Sequence, residues 1–99
     1  MASDRTCHVY ILARKPFGTL YIGVTNDLRR RVAEHRLGTK PGFTKKHDLK
    51  QLVYFEVFDT PSRAIAREKQ LKAGSRQRMI NLVLKDNKQW KDLAESLFR

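Results

Sequence analysis

The apolar positions form short β-type runs near the N-terminus and helical spacings later in the chain. Cys7 to Ala13 (CHVYILA) and Thr19 to Val24 (TLYIGV) are short, β-branched and aromatic, and Arg14-Lys15-Pro16-Phe17-Gly18 separates them with Pro and Gly turn signals. The pair reads as a β-hairpin. With its loop centred on residues 14 to 17, Tyr10 lies across from Tyr21, and the two-residue period of a strand sets both rings on one face.

Asn26 or Asp27 then offers an N-cap for a helix from about Leu28 to Leu37, stopped by Gly38. Residues 38 to 48 hold two Gly, a Pro and three Lys, and read as a loop. Leu52 to Phe58 (LVYFEVF) is a third strand, apolar enough for a central place in a sheet. Thr60 followed by Pro61 starts a second helix and Gly74 ends it. Ser75 caps a third helix carrying Met79, Ile80, Val83 and Leu84, and Trp90, Leu93 and Leu97 are spaced for a last helix within residues 88 to 98. The order ββα-β-ααα, with no repeat or low-complexity segment, predicts a compact α+β domain: three strands, two of them a hairpin, packed under helices.

Length and charge narrow the partners. Ninety-nine residues are enough for one domain and one modest core, residues 1–99, which five Phe, three Tyr and one Trp help to fill. The formal net charge is +11. Residues 26 to 50 hold eight bases (Arg29, Arg30, Arg31, Arg36, Lys40, Lys45, Lys46 and Lys50) against three acids, and residues 61 to 80 hold six against Glu68 alone. A solvated surface explains any single lysine, but such clustering favours a face for polyphosphate, with Arg29, Arg36, Lys40, Lys45 and Lys46 as candidate nucleic-acid contacts. No apolar run approaches the roughly 20 residues of a membrane span, the N-terminal stretch lacks a secretory leader's apolar core, and Cys7 is the single cysteine. The expectation is a cytoplasmic protein without membrane contact, small-molecule cofactor, disulfide or Cys-cluster zinc site.

Two helices carry the candidate chemistry. On the first, Arg31 and His35 lie one turn apart beside the apolar stripe of Leu28 and Val32, whereas Arg30 points to solvent. An arginine held on a packed flank can fork onto a phosphate; the plainer reading is a snorkelling arginine and a packed histidine. On the second, the spacing from Ala64, Ile65 and Leu71 sets Glu68 inside the arc that should be buried. A carboxylate there needs a cation, from Arg31 or a bound metal, unless it forms a purely structural salt bridge. If an ion binds, one protein carboxylate with water and phosphate suits Mg²⁺. No P-loop, H-E-x-x-H, G-x-S-x-G or zinc spacing competes, and His8 and His47 read as isolated histidines.

His8-Val9-Tyr10-Ile11-Leu12, Tyr21-Ile22-Gly23, Leu28-Arg29-Arg30-Arg31 with Glu34-His35, and later Glu68 together resemble the GIY-YIG nuclease domain, in particular its small stand-alone bacterial branch. The specific part is the combination: an eleven-residue step from the first tyrosine to the second, arginine ten beyond the second, histidine four further, then a helical glutamate. The likeness spans about residues 7–85 and leaves 86–99 as a C-terminal helical tail. It implies a three-stranded antiparallel sheet flanked by helices, and hydrolysis of DNA phosphodiesters with a single Mg²⁺ or Mn²⁺. By position it implies that Tyr10 and Tyr21 line the site, one of them helping deprotonate the attacking water. Arg31 would bind the scissile phosphate, His35 assist proton transfer, and Glu68 ligate the metal. Gly23 belongs to the second motif, and Asn81 best matches the family's late asparagine. The first motif reads VYI without its glycine, and Val24 stands where some members carry a lysine.

The resulting expectation is a metal-dependent DNA endonuclease, selective for structure rather than sequence and acting in repair or recombination. The alternatives are a non-catalytic nucleic-acid-binding module, or a docking subunit of a DNA-processing complex that uses the apolar Trp90, Leu93 and Leu97 tail.

Overall fold

The computed structural model describes residues 6–38 and 49–97. Its elements run β1 (Cys7–Ala13), β2 (Leu20–Thr25), α1 (Leu28–Leu37), β3 (Gln51–Phe58), α2 (Pro61–Ala73), α3 (Arg76–Asp86) and α4 (Ala94–Leu97). The helix boundaries follow local chemistry. Asp27, Thr60 and Ser75 each accept a backbone N–H of the first turn of α1, α2 and α3, satisfying donors that a helix leaves open. Gly38 ends α1 in the left-handed conformation, φ 69°, where a glycine carries no Cβ penalty.

The three strands form an antiparallel sheet in the order β2-β1-β3, with helices on both faces. This is the α+β architecture expected. On one face Cys7, Val9, Ile11 and Ala13 pack with Ile22, Val53, Tyr54 and the inner sides of α2 and α3 (Ala64, Leu71, Ile80 and Val83). On the other, Tyr10 and Leu12 pack with Leu28 and Val32 of α1, Leu49, Leu52 and Ala94. β1 is the shared wall: Val9 to Ala13 have no exposed surface, as expected of a strand covered on both faces.

Three expectations are corrected. Tyr10 pairs with Gly23 and Tyr21 with Leu12, a two-residue shift from the anticipated register. An even shift preserves the face, so both rings stay on the α1 side. β3 is an edge strand, not the central one. Its apolar character comes from cover above and below Leu52 to Tyr54, while Val57 near its end is 60% exposed. A bulge opposite Ile11 and Leu12 lets the consecutive residues Val53 and Tyr54 join the same core.

The tail is the third correction. Instead of one helix through residues 88 to 98, the chain turns at Trp90, φ 56°, before the short α4. Trp90 enters the first core and Ala94 the second, with Leu93 and Leu97 beside it. A continuous helix would have aimed these side chains at one core only. Asn87 secures the turn, donating to Val53 O (3.1 Å) and Lys91 O (2.8 Å) and accepting from Lys91 N (2.9 Å). Leu93 N donates to Leu52 O at 2.7 Å, and Asp92 Oδ1 accepts from Leu52 N at 3.1 Å. The open edge of β3 is thereby covered by the chain's own tail. The apolar residues proposed for docking a partner close this protein's core instead.

Candidate active site

β1 carries Tyr10 into the second core, where it is fully buried. Its hydroxyl is 3.4 Å from His35 Nε2. β2 sets Tyr21 on the same face, with ring centroids 6.2 Å apart. The His35 ring, brought by α1, lies 6.1 Å from Tyr10 and 5.9 Å from Tyr21. Two strands and a helix thus assemble a triangle of rings from residues far apart in the chain. Helical spacing set His35 beside the apolar stripe of α1, and it is 6% exposed.

Gly23 makes room for this arrangement. A Cβ at that position would sit 2.4 Å from the Tyr10 oxygen and 2.5 Å from its Cζ, so the phenol lies across bare backbone. Burial, and then the neighbouring Tyr21, push the Tyr10 phenol well above the ordinary tyrosine range. Arg31 opposes that rise through its charge and a hydrogen bond, and Glu68 adds to it. Tyr10 therefore keeps its proton, while Arg31 and Glu68, from opposite sides of the sheet, both act electrostatically on the same oxygen. Tyr21 is only half-buried and is the phenol of the pair that solvent can reach.

Arg31 is held on its flank by Glu34, Nε to Oε1 3.3 Å, with 29% of its side chain exposed. Arg30, 75% exposed, pairs with the same carboxylate at 3.4 Å. Glu68 is partly buried on α2, between the buried Ala64 and Leu71, whereas Ile65 turns outward. Its cation is Lys72, one turn on, Nζ to Oε2 3.4 Å. Lys72 also lines a groove of about 360 Å³ with Leu20, Tyr21, Ile22 and Met79, so the lysine of the pair borders the more accessible tyrosine.

The remaining candidates lie elsewhere. Arg29 is on the exposed side of α1. Arg36 is ion-paired with Asp92 of the tail, so its charge already ties α1 to residues ahead of α4. Lys40, Lys45 and Lys46 fall outside the described residues. Asn81 is exposed on α3, where its Oδ1 accepts from Gln77 Nε2 at 2.9 Å. It lines a groove of about 300 Å³ with Arg67, Leu71, Arg78, Leu82 and Lys85, to which none of Tyr10, Tyr21, Arg31, His35 and Glu68 contributes.

The GIY-YIG catalytic domain model matches residues 6–81, a span that includes both tyrosines, the α1 pair and Glu68. The chain belongs to the GIY-YIG family. It is 40% identical to a UPF0213 protein of Staphylococcus saprophyticus over 77% of this chain and 92% of that protein. A UPF0213 protein of Natronomonas pharaonis is also 40% identical, over 84% of this chain and 94% of its own length. The solution NMR structure of a UPF0213 protein from Bacillus halodurans superposes with a TM-score of 0.55 at 28% identity, covering 88% of this chain and 92% of that one. The fold is thus that of the GIY-YIG domain, which belongs to a nuclease family.

GIY-YIG nucleases are generally metal-dependent. Among the described residues, no group of three or more His, Cys, Asp or Glu gathers to cage a metal. Glu68 offers a single, partly buried carboxylate, paired with Lys72. That fits magnesium, which retains several waters and takes one or two carboxylates plus substrate phosphate. Also among the described residues, no helix is long and apolar enough to cross a membrane.

Two contributors were not singled out by sequence reasoning. Lys72 stands four residues after Glu68, a spacing that signals a helical ion pair. Glu34, recognised only as part of a motif, holds Arg31 in place.

Proposed function

We propose that this GIY-YIG protein is a metal-dependent DNA endonuclease that hydrolyses phosphodiester bonds. Its selectivity is for DNA structure rather than sequence, and it serves DNA repair or recombination. One observation carries the reading. Tyr10, Tyr21 and His35 meet with ring centroids about 6 Å apart, with Arg31 one turn before His35 on α1.

Each residue has a role that its setting favours. Arg31 is anchored but partly exposed, and exchanges Glu34 for the scissile phosphate, forking onto its oxygens as negative charge grows. Tyr21, half-buried, acts as its phenolate and takes the proton of the attacking water directly or through a second water, as the water oxygen bonds to phosphorus and the P–O bond to the leaving sugar oxygen breaks. Tyr10, buried and protonated, holds the position of His35 through its hydroxyl. His35, touching both rings, relays the proton onward. Glu68 would hold a single Mg²⁺ or Mn²⁺, which would supply Lewis-acid stabilisation of the phosphate. The Lys72 side chain is 54% exposed and would turn toward DNA if the carboxylate took a metal ion instead.

Substrate contacts beyond the cleft come from the basic surface, including Arg29 and the segment with Lys40, Lys45 and Lys46. Affinity of this kind is carried by phosphates and falls steeply with salt. The test is incubation with supercoiled plasmid and with branched DNA in Mg²⁺ or Mn²⁺, alongside Glu68→Ala and Arg31→Ala. The expected result is cleavage by the wild type that both substitutions abolish. Salt-sensitive binding without metal-dependent turnover would favour a binding module instead.

A further inference from the structure

The loop joining β1 to β2 contains a residue that turn geometry does not explain. Gly18 N donates to Lys15 O at 2.9 Å, closing a four-residue turn with Pro16 second and Phe17 third. Phe17 has φ 60°. A proline followed by a positive φ is the pattern of a type II turn, whose third position favours glycine. A bulky side chain at positive φ is an outlier that persists only when its surroundings enforce it. Gly18 has its own reason to be glycine, since a Cβ there would meet Lys15 Cγ at 2.9 Å. The chain thus places an aromatic ring where backbone conformation argues against one.

The surroundings hold that ring out rather than in. Arg76, at the start of α3, donates through Nη2 to Phe17 O (2.5 Å) and Gly18 O (2.7 Å). The ring leans on Trp90, centroids 4.9 Å apart and planes tilted by 44°. Trp90 is buried, yet Phe17 remains 55% exposed, beside exposed Arg14 and Lys15. A pinned, half-exposed aromatic face flanked by cations matches what an unpaired base and its phosphates require: a π surface to stack on and charge for the backbone. Tyr21 follows three residues after Gly18, so the tip stands at the Tyr21 end of the ring triangle.

We propose that Phe17 is a stacking platform for an unpaired base of single-stranded or branched DNA, and that the hairpin tip selects substrates by structure. The proposal rests on the reading of the protein as one that acts on DNA. It is tested without divalent metal, so that no hydrolysis is needed. A single strand carrying 2-aminopurine and a matched duplex are titrated with wild type, Phe17→Gly, Phe17→Leu and Phe17→Trp. Glycine keeps the positive φ and removes the ring; leucine keeps the contact with Trp90 and removes the π face.

The expected result is 2-aminopurine quenching by wild type and Phe17→Trp. Phe17→Gly and Phe17→Leu should lose it and bind the single strand roughly 5- to 150-fold more weakly, the range of one base–aromatic stack, with duplex binding unchanged. Quenching that persists in the folded glycine or leucine variant, or equal losses on single strand and duplex, would overturn the platform. The two readings separate cleanly. Quenching with no metal-dependent cleavage keeps the platform and removes the nuclease; cleavage with Phe17-independent binding does the reverse.

Discussion

The Tyr10 phenol lies across Gly23, its hydroxyl oxygen 2.4 Å from where a Cβ would stand. The family's second-motif glycine is thus a packing requirement imposed by the tyrosine of the first motif on the neighbouring strand. Gly23→Ala forces Tyr10 to move within a core that has no exposed surface at that residue. The expected loss is about 1–3 kcal/mol of stability from overpacking, read by denaturant unfolding, together with loss of cleavage because the ring triangle is displaced.

Arg31→Lys separates charge from geometry. Lysine keeps the cation but not the planar fork. Its rate of cleavage should fall by roughly 10²–10³-fold, the usual effect of removing one transition-state donor. Its unfolding curve should overlay the wild type, since Arg31 is partly exposed and its ion pair with Glu34 is a short-range one within α1. Single-turnover kinetics beside thermal melts would show both.

Asp92 joins three parts of the chain. It pairs with Arg36 and accepts from Leu52 N and Ala94 N, each at 3.1 Å. Asp92→Ala leaves part-buried donors without partners and should destabilise the fold by about 1–3 kcal/mol, lowering Tm by about 4–8 °C for each kcal/mol in a domain this small. Arg36→Ala should likewise lower Tm, and change DNA affinity less than removing a basic residue with no acidic partner.

Acid stability should follow Glu56. Burial raises its pKa, but the two-pronged grip of Arg67 (Nε 2.9 Å, Nη2 3.0 Å) and the Tyr54 hydroxyl outweigh that and hold it below the ordinary value of 4.5. A carboxylate depressed in the folded state contributes stability that is present above its unfolded pKa and lost as pH falls through the folded one. Wild-type stability should therefore drop below about pH 4.5. Glu56→Gln, less stable at neutral pH, should drop less.

At the alkaline end the sign reverses. Burial raises both Tyr10 and Tyr54 above 10.0, with Tyr21 adding to the first and Glu56 to the second. Their contribution is complete below pH 10.0 and is lost as pH climbs toward the folded values. Denaturation followed from pH 8 upward should show a decline that Tyr54→Phe and Tyr10→Phe each reduce.

Features written in neighbouring residues are legible in the sequence itself. Asp27, Thr60, Ser75 and Gly38 announce helix ends through cap chemistry, and the i, i+4 spacing on α1 aligns Arg31 with His35. Glu68 stands out because a carboxylate interrupts an apolar arc. What escapes depends on contacts between distant segments. Nothing near Arg36 points to Asp92, 56 residues away. The edge position of β3 depends on which strands flank β1, and the division of Trp90 and Ala94 between two cores depends on a turn at positive φ that tryptophan's own preferences would not suggest.

Hydrolysis at the ring triangle, as opposed to DNA binding alone, is what Glu68 decides. The most direct measurement is the single-turnover rate of cleavage of labelled branched DNA in Mg²⁺ by Glu68→Ala, with binding to the same DNA measured in parallel. The rate should fall by roughly 10²-fold or more while affinity stays near that of the wild type. Unchanged cleavage by Glu68→Ala, or a rate that falls only as far as binding does, would contradict the assignment.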